Sequence, residues 1–286
     1  MGHISIAEIL KEARKRKYGV ANLYGGSVEQ VLGQIRAAEI KKAPLILCYN
    51  HELCPSIPVE IGVPLIVKAA KYAKVPVATI LDHGSELDLI IKTIHYGISG
   101  VMFDGSDLPY EENIKRTQEI VKIAHPLGVS VEAGVGQVGG SSIESGKESD
   151  IKNVMTDPDE AVDFVKRTNV DALDISFGNT HGVYKGIPML DYERIKTIAN
   201  AVDIPLVMHG GSGLDDNIYQ LLIDCGISKF HFYTSIARRE AMYIRDKALK
   251  ADENDLITHN FMKWRIEFYT NETMKLMDLL KCSGMG

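Results

Sequence analysis

Short apolar, β-branched runs alternate with stretches of helical period along most of this chain. Runs at 20–23, 45–48, 77–81, 100–103, 130–133, 172–176, 206–208 and 229–232 read as strands. Continuous apolar runs of this length, bounded by turn residues, are typical of strands buried on both faces. The intervening segments 28–40, 64–72, 87–96, 111–125, 159–168, 192–202 and 215–225 carry apolar residues at helical spacing. Punctuation agrees: Gly97, Gly128 and Gly226 follow helices, and Asp157-Pro158 opens one. Eight strands alternating with helices imply a parallel sheet, whose natural closure is a (β/α)8 TIM barrel. Beyond residue 236 two long amphipathic segments, 237–251 and 260–281, predict extra C-terminal helices. The expected organisation is one barrel domain over 1–286, with a helical extension from about 237.

Polar residues gather where strands end, the catalytic face of such a barrel. Asn22 ends the first strand, Asp82 and His83 the third, Asp104 the fourth and Glu132 lies in the fifth. His181 follows the sixth, His209 ends the seventh and His231 lies in the eighth. His83, His181 and His209 each stand beside a glycine, in Leu81-Asp82-His83-Gly84, Gly178-Asn179-Thr180-His181-Gly182 and Met208-His209-Gly210-Gly211-Ser212-Gly213. Three imidazoles from three strand ends can converge on one point only if the strands run parallel and their ends are close. Three protein ligands with an open position is the pattern of a catalytic zinc site. Neutral imidazoles leave the ion its full charge for polarising a carbonyl or holding an enediolate. Asp82, adjacent to a ligand, reads as a proton-transfer carboxylate or as an acceptor for a histidine N–H. The glycine-rich turn 210–213, just before a helix, allows backbone N–H groups to approach a phosphate, with Thr234 and Ser235 completing the cradle.

Composition narrows the classes. Hydrophobic residues make up 45% and charged residues 24%, an ordinary globular balance. The net charge of -6 shows no basic stripe, which argues against nucleic acid. The basic run 11–17 lies on an amphipathic first helix with Ile6, Ile9 and Leu10 and reads as a solvated face. Cys48, Cys54, Cys225 and Cys282 form no CxxC pair and no disulfide framework. The amino terminus lacks a secretory apolar region, and no stretch has the length of a membrane span. A cytoplasmic location is the default expectation. Residues 136–155 are rich in Gly, Ser and charge and break the barrel rhythm. Their length and their place directly after the fifth strand predict a mobile lid over the site. The apolar stripe of Phe261, Trp264, Ile266, Phe268, Met274 and Leu276 exceeds what barrel closure needs and predicts a homodimer or homotetramer.

Over most of 20–240 the chain resembles the class II, metal-dependent fructose- and tagatose-bisphosphate aldolases. The resemblance rests on 75–84, 101–106, Pro109 with Glu112-Asn113, 156–158, 176–185 and 209–213. It implies one Zn²⁺ per subunit on His83, His181 and His209, and allows a monovalent cation. It implies Asp82 as the acid/base. Gly182, Gly210, Gly211 and Ser212 become contacts for the phosphate of the dihydroxyacetone-phosphate half. Asn22, His231, Tyr233 and Thr234 complete the expected substrate wall.

Three departures stand out. Gly134 occupies the place of a glutamate that, with Asp104, serves an alternative metal position in that family. Ser141 and Ser142 follow Gly139-Gly140 where acidic residues are usual, so Glu144 becomes the candidate second proton relay. The strand-8 asparagine is replaced by His231. The expected activity is retro-aldol cleavage of a phosphorylated ketose into dihydroxyacetone phosphate and an aldehyde. The alternative is a non-catalytic sugar-phosphate-binding relative that keeps zinc. A zinc hydrolase on the same barrel ranks below both, because strand 1 lacks His-x-His and no strand ends in a carbamylation-type lysine.

Overall fold

The computed structural model describes residues 2–53, 55–139, 154–182, 184 and 188–286. The eight strands are β1 (Val20–Tyr24), β2 (Leu45–Tyr49), β3 (Val77–Gly84), β4 (Gly100–Phe103), β5 (Ser130–Val135), β6 (Ala172–Ile175), β7 (Leu206–Met208) and β8 (Ile227–Phe232). Each pairs in parallel with the next, and β8 pairs with β1, so the sheet closes in sequence order. Closure removes every sheet edge, and helices cover the outside. The fold is therefore the (β/α)8 barrel that the alternation predicts, with extra C-terminal helices.

The helices are α1 (Ile6–Arg16), α2 (Val28–Lys41), α3 (Val59–Tyr72), α4 (Leu87–His95), α5 (Tyr110–Ala124), α6 (Pro158–Thr168), α7 (Tyr192–Ala201), α8 (Asp216–Cys225), α9 (Thr234–Lys250) and α10 (Thr258–Leu279). Local chemistry sets their starts. Ser5 and Glu8 form a reciprocal capping box on α1, and the Asp157 side chain caps α6 ahead of Pro158. The sequence places the start of α3 at Pro64, but the helix begins five residues earlier and carries Pro64 inside it. Burial of Val59, Gly62 and Val63 continues the stripe of Ile66, Val67 and Ala70 and outweighs the hydrogen bond that proline cannot donate. The basic run is exposed at Lys11, Lys15 and Arg16. Arg14 departs from a solvated role: its guanidinium donates to the carbonyls of Ala199, Val202 and Ile204.

The C-terminal stripe divides. Phe268 and Leu276 are buried, and α10 packs along α2. Gly33 of α2 permits this approach, since a Cβ there would lie 2.8 Å from the Ile266 carbonyl oxygen. Phe261, Trp264, Ile266 and Met274 stay half-buried. Part of the surplus apolar surface is thus used within the chain. Among the described residues, no helix is long and apolar enough to cross a membrane.

Candidate active site

The polar residues of the strand ends line a cleft at the carboxyl face of the barrel. Its wall contains Asp82, His83, His181, Gly182, His209, Gly210, Ser212, His231, Tyr233 and Thr234. Two of the expected wall residues stand behind it. Asn22 holds His231, with Nδ2 donating to Nδ1 at 2.7 Å. Gly211 donates its N–H to the His231 carbonyl, and its own carbonyl accepts from the Tyr219 hydroxyl. Glu144 and the body of the expected lid lie outside the described residues. The base of that segment is described: Gln137 and Val154 exchange backbone hydrogen bonds, and the Gly139 carbonyl accepts from the His181 N–H.

His83, His181 and His209 come together as the sequence spacing implies. Their ring centroids lie 4.7–5.6 Å apart, and one ring nitrogen of each falls within 4.8 Å of the others. Distinct local devices deliver each ring. His83 lies at the end of β3, at a register shift between Leu81 and Gly84. Its φ of 52° is rare for a residue with a Cβ and aims the ring into the barrel mouth. Backbone strain of this kind gathers at functional sites. His181 is held from the backbone by Gly139, while Asn179 joins the β6 loop to the end of β7 by donating to the His209 carbonyl. Gly210 makes the turn after His209 with φ 70°, and a Cβ there would meet the Thr180 carbonyl oxygen at 2.1 Å. Only glycine fits that approach.

The donor set suits a metal ion. Nε2 of His181 and Nε2 of His209 are buried without a hydrogen-bond partner among the described residues. Burial, reinforced by the positive charge of His83, pushes both rings well below the usual histidine range, so they are neutral. Neutral imidazole is the ligating form. Burial opposes a charge on His83 as well, but the carboxylates of Asp82 and Asp104 outweigh it and raise this ring to about 9. His83 Nδ1 lies 2.7 Å from Asp104 Oδ2, which fixes the ring through its outward nitrogen. Burial likewise opposes the Asp104 charge, yet the His83 and Ser106 contacts hold it well below the usual carboxylate range.

Three residues of the site escape the strand-end reading. Asn50, directly after β2, lines the cleft and donates from Nδ2 to Asp82 Oδ2 at 3.3 Å. Lys229 is fully buried, with Nζ 2.5 Å from Glu132 Oε2. Glu132 Oε1 lies 3.6 Å from His209 Nε2, so this ion pair forms the floor under the rings. Asp174 pairs in register with Gly134. A Cβ on Gly134 would lie 3.4 Å from Asp174 Oδ2, in ordinary contact with it, so this carboxylate borders the position of the missing side chain. Burial and the charge of Glu132 push Asp174 well above the usual carboxylate range. A signal for Lys229 existed: it stands two residues from His231, and strand alternation puts both inside the barrel.

A family profile described as class II fructose-bisphosphate aldolase matches residues 4–285. The chain belongs to the class II fructose-bisphosphate aldolase family. The protein YdjI of Escherichia coli strain K12 is 35% identical over 235 residues, covering 82% of this chain and 84% of its own. The crystal structure of the YdjI aldolase matches with a TM-score of 0.87 at 29% identity, over 99% of both chains. A sulfofructosephosphate aldolase of Alkalicoccus urumqiensis is 35% identical over 237 residues, 82% of each chain. Aldolase chemistry thus recurs among relatives that cover most of this family member's length.

Proposed function

We propose that this chain is a zinc-dependent aldolase that cleaves a phosphorylated ketose into dihydroxyacetone phosphate and an aldehyde. One observation carries the reading: three converging imidazoles, a buried carboxylate and a glycine-rich turn line a single cleft. When bound to His83, His181 and His209, the ion polarises the ketose carbonyl and stabilises the charge that develops as the carbon–carbon bond breaks. Asp82, oriented by Asn50, accepts the proton of the C4 hydroxyl during cleavage and returns it in condensation. Gly182, Gly210, Ser212 and Thr234 hold the phosphate. In support, among the described residues no side-chain cap bonds the start of α9 at Thr234, and a helix N-terminus of this kind suits an anion. Ser212 Oγ accepts from the Tyr233 N–H and ties the turn to that helix start.

Release of triose phosphate from a panel of ketose phosphates tests the reading. Cleavage of at least one supports the aldolase. Binding of the whole panel without cleavage supports the non-catalytic relative instead.

Glu144 is proposed as the second relay, returning a proton to the three-carbon half. Exchange of the dihydroxyacetone-phosphate C–H proton with deuterated water should slow in Glu144→Gln; exchange at the wild-type rate assigns that proton elsewhere. A homodimer or homotetramer is also proposed, on the half-buried Phe261, Trp264, Ile266 and Met274. Light scattering at micromolar concentration should give a multiple of 31.6 kDa, and a monomer mass counts against the assembly.

A further inference from the structure

We propose that two tyrosine hydroxyls, of Tyr184 and Tyr219, set the orientation of the glycine-rich turn and so aim the Ser212 N–H at a phosphate in the cleft. Neither tyrosine belongs to the cleft wall, so both act as positioning residues. The inference rests on the phosphate role proposed above for that turn.

Gly210 and Gly211 have no side chains to hold their backbone, and glycine is the least restricted residue. Contacts from outside fix the turn instead, one peptide unit at a time. The Gly210 carbonyl accepts from the Tyr184 hydroxyl at 2.8 Å. The Gly211 N–H donates to the His231 carbonyl at 3.1 Å. These two groups belong to one planar peptide, which is therefore pinned at both ends. The next peptide is pinned at one end only. Its carbonyl, on Gly211, accepts from the Tyr219 hydroxyl at 2.6 Å. Its N–H, on Ser212, has no acceptor among the described residues.

The direction of that N–H follows from where Tyr219 stands. Tyr219 lies on α8 and its ring packs against Phe230 and Phe232. Strand alternation turns these two phenylalanines outward, opposite to Lys229 and His231. The Gly211 carbonyl thus points out of the barrel, and a trans peptide sends the Ser212 N–H the opposite way. That is the side on which Ser212 lines the cleft. A backbone N–H held in place and left without a protein acceptor is what an anion-binding turn offers. Tyr184 adds a second tie: its hydroxyl accepts from the Thr180 N–H at 3.3 Å, joining the residue before His181 to the residue after His209. Burial pushes both phenols up, Tyr184 to about 12, so each keeps the proton it donates.

Tyr219→Phe and Tyr184→Phe each delete one hydroxyl and keep the ring. The probes are dihydroxyacetone phosphate and inorganic phosphate, titrated calorimetrically into the zinc-loaded full chain. Each variant should bind both probes about tenfold more weakly, the upper end of what one hydrogen bond contributes, with zinc affinity at the wild-type level. The Ser212 amide proton of the wild type should move downfield when dihydroxyacetone phosphate is added, and the movement should shrink in Tyr219→Phe. Variants that bind both probes like the wild type overturn the two clamps and leave the phosphate reading intact. An equal loss of zinc affinity also overturns them, since the hydroxyls would then serve the whole site. A wild-type Ser212 amide that ignores a bound probe overturns the proposal whether or not the variants fold. A wild type that holds zinc but binds neither probe overturns the phosphate reading itself, and the clamps with it.

Discussion

His209→Ala should lose nearly all bound zinc. The His209 ring is 1% exposed, sits against both His83 and His181, and presents a buried nitrogen with no protein partner. Catalytic zinc sites rest on three protein ligands, so two remaining imidazoles fall below that minimum. Removing a group that merely orients a ligand costs about 10–100-fold in affinity. Deleting the ligand itself should cost at least the upper end of that range. Elemental analysis after gel filtration should show metal well below one per chain, with circular dichroism reporting an intact barrel. The melting temperature should also stop responding to added zinc, since an ion stabilises a fold only as far as the native state binds it. Full metal occupancy in this variant would falsify the three-histidine assignment.

Asp82→Ala should keep zinc and the fold yet lose carbon–carbon bond cleavage by about 10²–10⁴-fold, the contribution of a positioned acid/base group. Asp82 is 5% exposed and lines the cleft; Asn50 donates to one of its oxygens, and the other lies 3.3 Å from His231 Nδ1. It does not belong to the group formed by His83, His181 and His209, so its loss leaves that group complete. The decisive measurement is turnover on the true ketose phosphate alongside metal content. Turnover at the wild-type rate would remove Asp82 from the chemistry. Loss of both metal and activity would make its role structural.

The expectation of three converging histidines held because it depended on local signals. Each ring is flanked by residues that end a strand or permit a turn, and parallel closure brings all strand ends to one face. The position of His83 was less legible. Its setting at the end of β3 depends on how β3 registers against β4, and no local motif specifies that register shift. The apolar stripe of α10 is legible as a period but not in what it packs against. Phe268 and Leu276 are buried where α10 packs along α2, a contact that depends on the tertiary path of the chain and not on the stripe itself.

Sequence alone determined the architecture and the type of chemistry. Alternating periods of strand and helix dictate a parallel barrel, and the residue types at its strand ends carry the metal and phosphate handling proposed for it. Tertiary structure decided which of those groups meet. Glu132 and Lys229 are ninety-seven residues apart yet form one buried pair, because closure of the barrel turns both side chains inward. Asp174 lies beside Gly134 only because β5 and β6 pair in that register. Asn22 reaches His231 across the β1–β8 seam that closes the ring. Such contacts depend on register and closure, which are properties of the whole sheet, and no segment of the chain encodes them by itself.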